Sequence, residues 1–333
     1  MDTELMKTYG CLLGVAIGDA MGAPTTFMSP KEIREKYGFV ETFIEPGKDH
    51  PIHGGFKAGQ VTDDPEMTLL VAESIIRRGK VDTECYVEHL LEWTRKRKDV
   101  LQSNYLGPST RSALMRLLQG ESVEEAGRHG ITNGCAMKIS PVGIVNRGKK
   151  IDKVVKDVYK ICIPTHGTNI ALAAATAVAS AISVAFGEDA DVETVIDATL
   201  RGAHEGRRLG FKYPAASVEK RIELALKLTE RATSIEEVCA TLYDYIGTVL
   251  LANESIPSAI AIVRIADGNP LRAITMAVNC GGDADTIASI AGAISGALHG
   301  AKAFPRSLAR TVEEVNNLNL EEVAEKLLSV RGE

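Results

Sequence analysis

Apolar residues recur along most of the chain at spacings of three and four, the period of an α-helix. The pattern is clearest over residues 65–78 and 287–298, each of which would present one apolar face to a core. Alternating runs rich in Val, Ile, Tyr and Phe, which are typical of β-strands, are nearly absent, and aromatic residues make up only 5%. The pattern therefore predicts an all-α fold.

The helices predicted by this pattern divide into a central and a peripheral set. Residues 170–186 and 286–299 carry small residues on several faces, so neighbouring backbones could approach them closely. The first of these is the longest apolar run, but it is rich in Ala and shorter than the roughly 20 residues a membrane span needs, so we expect a buried helix and no membrane. Helices that mix charges with an apolar stripe are expected at the edge, over residues 84–97, 151–161, 217–230 and 320–330.

No repeat of fixed length is present, which argues against a helical solenoid and favours one compact bundle, a single domain over residues 1–333. One predicted connection is unusual. Residues 38–62 are rich in Gly and Pro and longer than an ordinary link between helices. Long loops of this kind often carry function.

The net charge and the cysteine positions argue against several classes of protein. Against 38 Lys and Arg stand 44 Asp and Glu, a net charge of -6, which lacks the basic footprint expected of a nucleic-acid-binding protein. The six cysteines are scattered, so the sequence indicates neither a zinc site nor a disulfide framework. The acidic start of the chain is unlike a signal peptide. Reduced thiols and a cytoplasmic location are therefore expected.

Two short segments place several oxygen-bearing side chains at the start of an apolar helix: residues 62–65 (TDDP) and 281–286 (GGDADT). One interpretation is helix capping, with Asp63 and Glu66 forming a capping box and Asp285 or Thr286 capping the second helix. Capping needs a single acceptor, however, and each segment supplies three oxygen groups. Four converging aspartates would repel one another strongly unless cations were bound.

Hard divalent cations with oxygen ligands would remove this repulsion. The ligand types, Thr hydroxyls and Asp carboxylates without His or Cys, favour Mg²⁺ or Mn²⁺ over Zn²⁺. Asp285 is a plausible bridging ligand between two such ions. Paired ions commonly orient substrate oxygens and activate water, so hydrolysis is the leading reaction class.

At these residues the sequence resembles the ADP-ribosylglycohydrolase family. Six motifs in order carry the resemblance over most of the chain: residues 10–22, 62–64, 107–110, 133–138, 165–166 and 281–286. The resemblance implies an all-α orthogonal bundle with a central dinuclear site of two Mg²⁺ or Mn²⁺ ions. It assigns one ion to Thr62, Asp63, Asp64 and Asp285, and the other to Asp283, Asp285 and Thr286.

The resemblance also implies a substrate pocket lined by Asn133, Gly134, Met137, Thr165 and His166. Two of these have ordinary alternatives: His166 could be a hydrogen-bonded packing residue, and the Asn133-Gly134 pair a plain turn. Asp19 is either an acceptor that supports the site or an internally satisfied helix residue.

Two positions depart from the family pattern. Many relatives carry a Glu shortly after the first helix that ligates a metal or handles a proton, where this chain has Thr26. A Thr that usually follows the paired aspartates is replaced by Pro65, which removes a hydroxyl and leaves the acidic ligands. The first change puts specificity for ADP-ribosylated protein in doubt.

The function expected is metal-dependent hydrolysis of an N-glycosidic bond to ribose, with an ADP-ribosylated protein or small molecule as substrate. Asp63 or Asp64 would handle the proton. Three alternatives remain open: a hydrolase of nucleosides or other small N-ribosides, a dinuclear phosphoesterase, and a non-catalytic scaffold that retains the fold. The sequence leaves the oligomeric state unknown.

Overall fold

A computed structural model of the chain describes residues 3–103 and 105–330. These residues form seventeen α-helices and no β-strand, with two isolated β-bridges, Thr132 with Leu251 and Thr168 with Phe211. The predicted all-α class is confirmed. In chain order the helices are α1 (Thr3–Gly22), α2 (Pro30–Tyr37), α3 (Asp63–Arg78), α4 (Thr83–Lys96), α5 (Pro108–Leu118), α6 (Val123–Gly127), α7 (Ser140–Val145), α8 (Ile151–Cys162), α9 (Asn169–Ala185), α10 (Val192–Gly206), α11 (Val218–Thr229), α12 (Ile235–Thr241), α13 (Ala252–Ile265), α14 (Pro270–Cys280), α15 (Ala284–His299), α16 (Arg306–Asn316) and α17 (Leu320–Ser329).

The centre of the bundle is the pair α1 and α15, which pack along their lengths. Glycines allow the two backbones to touch: a Cβ on Gly14 would overlap the carbonyl of Gly292, and one on Gly10 would overlap the carbonyl of Gly296. Close contact of the two helices brings the start of α15 to the end of α1. The ligand-rich segment 281–286 is thereby fixed beside the residues that follow α1.

The predicted buried helix is α9, in which every residue from Ile170 to Ser183 is buried. It packs against α7, α8, α10 and α15, so its Ala-rich surface is covered on several sides. The helices expected at the edge are also present, as α4, α8, α11 and α17. Helical period and residue size together were sufficient to separate the core from the edge.

Cys239 in α12 and Cys280 at the end of α14 form a disulfide bond. The expectation that all six cysteines are reduced thiols is therefore wrong for this pair, while Cys11, Cys85, Cys135 and Cys162 are free and buried. The two bonded residues are 41 positions apart in sequence, and they meet because α12 packs on α14. Sequence spacing alone carries no sign of such a contact.

In the described part of the chain, no single helix is both long and apolar enough to cross a membrane. A bent pair, Thr3–Thr25 with Pro30–Tyr37, meets the requirement only by length and composition. The long connection between α2 and α3 contains no helix, as its composition predicts.

Candidate active site

All the predicted metal ligands except Thr62 line one cavity of about 270 Å³, here called the candidate pocket. A larger cavity of about 410 Å³ near Lys80 and Lys160 contains none of them. Residues from separate parts of the chain line the candidate pocket, including the expected Asp63, Asp64, Asn133, Gly134, Met137, Asp283, Asp285 and Thr286. The two acidic segments therefore converge, as the sequence predicts.

Thr62 is held in place by Asp19 of α1. The Thr62 backbone N–H donates to Asp19 Oδ2 at 2.6 Å, and the Thr62 hydroxyl donates to Asp19 Oδ1 at 2.5 Å. Both residues are buried. Since the Thr62 proton points to Asp19, the lone pairs of its hydroxyl oxygen are available to a cation. Asp19 thus supports the site from behind.

A direct contact joins the two acidic segments. The Thr286 hydroxyl donates to Asp64 Oδ1 at 3.3 Å, although the residues are 222 positions apart. On the other side of the pocket, Asn133 Nδ2 donates to Asp283 Oδ2 at 2.5 Å and to Ser255 Oγ at 3.0 Å. Asn133 is therefore not a plain turn residue, because its side chain positions one of the predicted ligands.

The capping interpretation does not account for these side chains. Thr62 and Asp283 occupy the N-cap positions of α3 and α15, and neither makes a side-chain capping hydrogen bond. Glu66, the expected partner in a capping box, instead accepts two hydrogen bonds from Arg97 at 2.7 and 2.6 Å. The carboxylates at the two helix starts need another explanation.

The electrostatics of the pocket are unfavourable without a cation. Burial, followed by repulsion from neighbouring carboxylates, raises the pKa of Asp19, Asp64 and Asp283 well above the usual value. The same causes raise the pKa of Asp63, the partly exposed member of the group, to about 7. Burial also opposes the charge on Asp285, but hydrogen bonding by His53 and by the backbone N–H of Thr286 holds the pKa of Asp285 below its usual value.

The donor set fits hard divalent cations in its chemistry. Every predicted ligand supplies oxygen, and Asp64 Oδ2 is buried with no hydrogen-bond partner among the described residues. A buried acceptor in that condition is costly unless a cation or water meets it. The geometry is not yet that of a closed metal site, because within residues 3–103 and 105–330 no three His, Cys, Asp or Glu side chains converge tightly enough to hold an ion.

The long loop 38–62 contributes residues that the sequence did not predict. His53 Nε2 lies 3.4 Å from Asp285 Oδ2, and His53 lines the candidate pocket. His50 stabilises the turn beneath it: its Nδ1 accepts the backbone N–H groups of Ile52 and His53, and its Nε2 contacts the Thr26 carbonyl at 2.9 Å. Two histidines three apart in a Gly-rich loop were the available signal.

Thr26, which the family resemblance marked as a departure, also contacts Asp285. Its hydroxyl donates to the carbonyl of Gly22 at 3.1 Å and accepts the backbone N–H of Asp285 at 3.2 Å. Thr26 and His53 thus hold the same ligand from two sides. Neither provides a carboxylate.

Thr165 and His166 lie behind the candidate pocket and not on its wall. The His166 ring packs against Gly134, where a Cβ would come within 3.0 Å of two ring atoms. His166 Nε2 contacts the hydroxyl of Thr132, a residue that does line the pocket, at 3.0 Å. The Thr-His segment therefore reaches the pocket through Thr132.

Comparison with known proteins agrees with the fold and the family resemblance. The chain matches the ADP-ribosylglycohydrolase family model over residues 1–333. It is 33% identical to the uncharacterized protein YegU of Escherichia coli (strain K12), over 99% of this chain and 98% of that protein.

More distant relatives carry named activities. The chain is 23% identical to ADP-ribosyl-[dinitrogen reductase] glycohydrolase of Rhodospirillum rubrum, over 98% of this chain and 97% of that protein. It is 24% identical to ADP-ribosylhydrolase ARH3 of Bos taurus, over 93% and 89%. A solved structure named ADP-ribosylglycohydrolase-related protein complex has the same fold, with a TM-score of 0.71 at 24% identity over 99% of this chain and all of that one. The predicted enzyme class, a hydrolase, is confirmed.

Proposed function

The chain belongs to the ADP-ribosylglycohydrolase family, and from this premise we propose that it is a metal-dependent hydrolase of an N-glycosidic bond to ribose in an ADP-ribosylated substrate. The observation that carries the proposal is the convergence of two distant acidic segments in one pocket. The hydrogen bond between Thr286 and Asp64 is the most direct contact between these two segments. The named relatives act on ADP-ribosylated substrates, which supports the same substrate class here.

We propose two Mg²⁺ or Mn²⁺ ions as the cofactor. The ligands proposed for them are Thr62, Asp63, Asp64, Asp283, Asp285 and Thr286. When bound, such ions orient ribose hydroxyls and lower the pKa of a coordinated water. Asp19, Asn133, Thr26 and His53 hold these ligands in place through the contacts described above.

Asp63 is the proposed proton-handling residue. Its side chain is partly exposed on the pocket wall, whereas the Asp64 carboxylate is buried and bonded to Thr286. A general base must reach the proton it removes, so exposure to the pocket favours Asp63 over Asp64. Asn133, Gly134 and Met137 line the wall on which the sugar would rest.

A nucleoside or other small N-riboside is the second candidate substrate class. Thr26 favours it, because the hydroxyl that replaces the family Glu is engaged with Gly22 and Asp285 and offers no carboxylate to a substrate. A cleavage that develops positive charge on the sugar normally uses carboxylates as acid and base. The change at this position is expected to alter which leaving groups are accepted.

A scaffold without catalysis is less consistent with the site. Four aspartates remain on the wall of one pocket and three of them are buried, which is costly for a protein that binds no cation. A folded protein freed from catalysis gains stability by losing such groups.

The experiment is a substrate panel with metal as a variable. Purified protein is incubated with ADP-ribosyl-arginine, an ADP-ribosylated protein and a set of nucleosides, each with Mg²⁺, Mn²⁺ or a chelator. Release of ADP-ribose that stops with the chelator and in Asp63→Asn supports the main proposal, whereas release of free base only from nucleosides supports the second. No turnover of any riboside would overturn both.

A further inference from the structure

A buried chain of polar side chains leads to the wall of the candidate pocket. Lys138 Nζ donates to Thr165 Oγ1 at 2.9 Å, Thr165 Oγ1 lies 2.8 Å from His166 Nδ1, and His166 Nε2 lies 3.0 Å from Thr132 Oγ1. Lys138, Thr165 and His166 are each 0% exposed. Thr132, the last residue in this series of hydrogen-bonded side chains, lines the candidate pocket. We call these four residues the Lys138 relay.

The direction of the relay follows from counting donors and acceptors. A Lys ammonium has donors and no acceptor, so the bond to Thr165 uses a lone pair of the Thr165 oxygen. The ammonium is also supported by the Tyr86 ring, whose centroid lies 5.3 Å from Nζ. Thr165 is fully buried, and in the described part of the chain its hydroxyl has no other acceptor within hydrogen-bond distance, so its proton is assigned to His166 Nδ1.

His166 continues the series of hydrogen bonds in the same direction, from Thr165 toward Thr132. Burial, with the charge of Lys138 adding to it, lowers the pKa of His166 well below the usual value, so the ring is neutral. A neutral imidazole has one donor and one acceptor. With Nδ1 accepting from Thr165, the proton lies on Nε2 and is donated to the Thr132 oxygen. Because the Thr132 oxygen accepts this hydrogen bond, the proton of the Thr132 hydroxyl is not used in the contact with His166.

We propose that the Thr132 hydroxyl is a hydrogen-bond donor to an acceptor oxygen of the bound substrate, its direction fixed by the buried Lys138, Thr165 and His166. The inference rests on the proposed function, because it assigns one wall of that pocket. The ligand group would be a ribose or phosphate oxygen, since both accept hydrogen bonds. Thr132 is thereby a specificity-determining residue and the other three are positioning residues.

The same arrangement explains two neighbouring residues. Gly134 has no side chain, which allows the His166 ring to lie close behind the pocket wall and reach Thr132. Lys138 is the only Lys or Arg in the motif 133–138, and its charge is directed inward to Thr165, not toward the pocket. Through the Lys138 relay, the charge of Lys138 influences the direction of the Thr132 hydroxyl on the pocket wall while Lys138 itself stays buried.

The first test compares Thr132→Val, which keeps the shape and loses the hydroxyl, with Thr132→Ser, which keeps the hydroxyl. Binding of ADP-ribose is measured by calorimetry in the presence of Mn²⁺. We expect about tenfold weaker binding for Thr132→Val and a change within about twofold for Thr132→Ser. Equal affinities of the two variants and the wild type would overturn the proposal.

The second test reads the proton position directly. In protein labelled with ¹⁵N-histidine, and with the signal assigned through His166→Asn, we expect His166 to be neutral and protonated at Nε2. The preference should weaken in Lys138→Met. A proton on Nδ1 in the wild type would overturn the proposed direction, whatever the binding data show.

Failure of the proposed function is distinguishable from failure of the relay. If the wild type does not bind ADP-ribose, the ADP-ribosyl substrate class fails, and the Thr132 pair is measured against the riboside that the wild type hydrolyses. If the wild type binds no riboside at all, the proposed function and the substrate contact of Thr132 are both wrong.

Discussion

His53 and Asp285 face each other across the candidate pocket, with Nε2 of the imidazole 3.4 Å from Oδ2 of the carboxylate, and both side chains are buried. His53 Nδ1 has no hydrogen-bond partner among residues 3–103 and 105–330. A bare lone pair at Nδ1 costs less than a bare N–H, so the proton is expected on Nε2 and directed at Asp285. A loop residue thus orients a predicted metal ligand.

Removal of the His53 imidazole should weaken metal binding. In His53→Ala the Asp285 carboxylate loses a hydrogen-bond donor, and loss of such a supporting contact typically weakens metal affinity by about 10- to 100-fold. Titration calorimetry with Mn²⁺ measures the change. His129→Ala, at an exposed position outside the pocket, is the matched control and should bind like the wild type. Unchanged Mn²⁺ affinity in His53→Ala would show that the contact does not support the ligand.

The metal should stabilise the protein more at higher pH. The pKa of Asp63 is raised to about 7, and those of Asp64 and Asp283 are raised well above the usual value, so the folded protein retains protons that the unfolded chain releases near pH 4. The stability these groups contribute is present below pH 4 and is lost as the pH rises toward 7. Asp285, whose pKa is lowered, stays ionised over this range and adds no opposite trend.

Thermal melts at pH 5 and pH 8 measure this effect, each with Mn²⁺ and with a chelator. Bound cations replace the retained protons, so the rise in Tm caused by Mn²⁺ should be larger at pH 8. In Asp64→Asn the difference between the two pH values should shrink. A rise in Tm that is equal at both pH values, or larger at pH 5, would contradict the prediction.

The glycine contact between α1 and α15 should be intolerant of a methyl group. Gly14→Ala would drive its Cβ into the carbonyl of Gly292, which is backbone and cannot rotate away. We expect a loss of about 1–3 kcal/mol or more in the free energy of unfolding, measured in chemical denaturation. Gly107→Ala is the control, since nothing lies within 4 Å of the added atom and φ is -55°. Equal stability of the two variants would show that the helices can separate without cost.

The Cys239–Cys280 disulfide should stabilise the fold and also restrain segment 281–286, since Cys280 immediately precedes that segment. In a chain-entropy model a bond across 41 positions contributes about 4 kcal/mol. Chemical denaturation with and without reductant should show a loss of that order in the wild type and none in the double variant Cys239→Ser, Cys280→Ser. Six free thiols in non-reduced, denatured protein, counted by alkylation and mass spectrometry, would refute the bond.

Much of the helical fold was predictable because its information is local. The periods of residues 65–78 and 287–298 mark α3 and α15, and the Ala-rich run marks the buried α9. The convergence of Asp64 with Thr286 was also predictable, because each helix start carries more oxygen groups than capping can use. The disulfide was missed, since contact between α12 and α14 depends on packing and not on spacing.

Other parts of the site were not predictable from local pattern. Loop 38–62 has no periodicity, so nothing in its sequence places His53 beside Asp285. Glu66 was misassigned to a capping box because its true partner, Arg97, lies on the segment after the next helix. The motif at 165–166 indicates a functional position, but only the packing shows that His166 contacts Thr132.

The most direct test is titration of metal-free protein with Mn²⁺, with stoichiometry and affinity measured by calorimetry for the wild type and for Asp285→Asn. The wild type should bind two ions, because oxygen ligands from both ends of the chain share them. Asp285→Asn should lose at least one ion or bind both far more weakly, because Asp285 is assigned to each. A wild type that binds neither Mn²⁺ nor Mg²⁺, or a variant that binds two ions with unchanged affinity, would contradict the shared site.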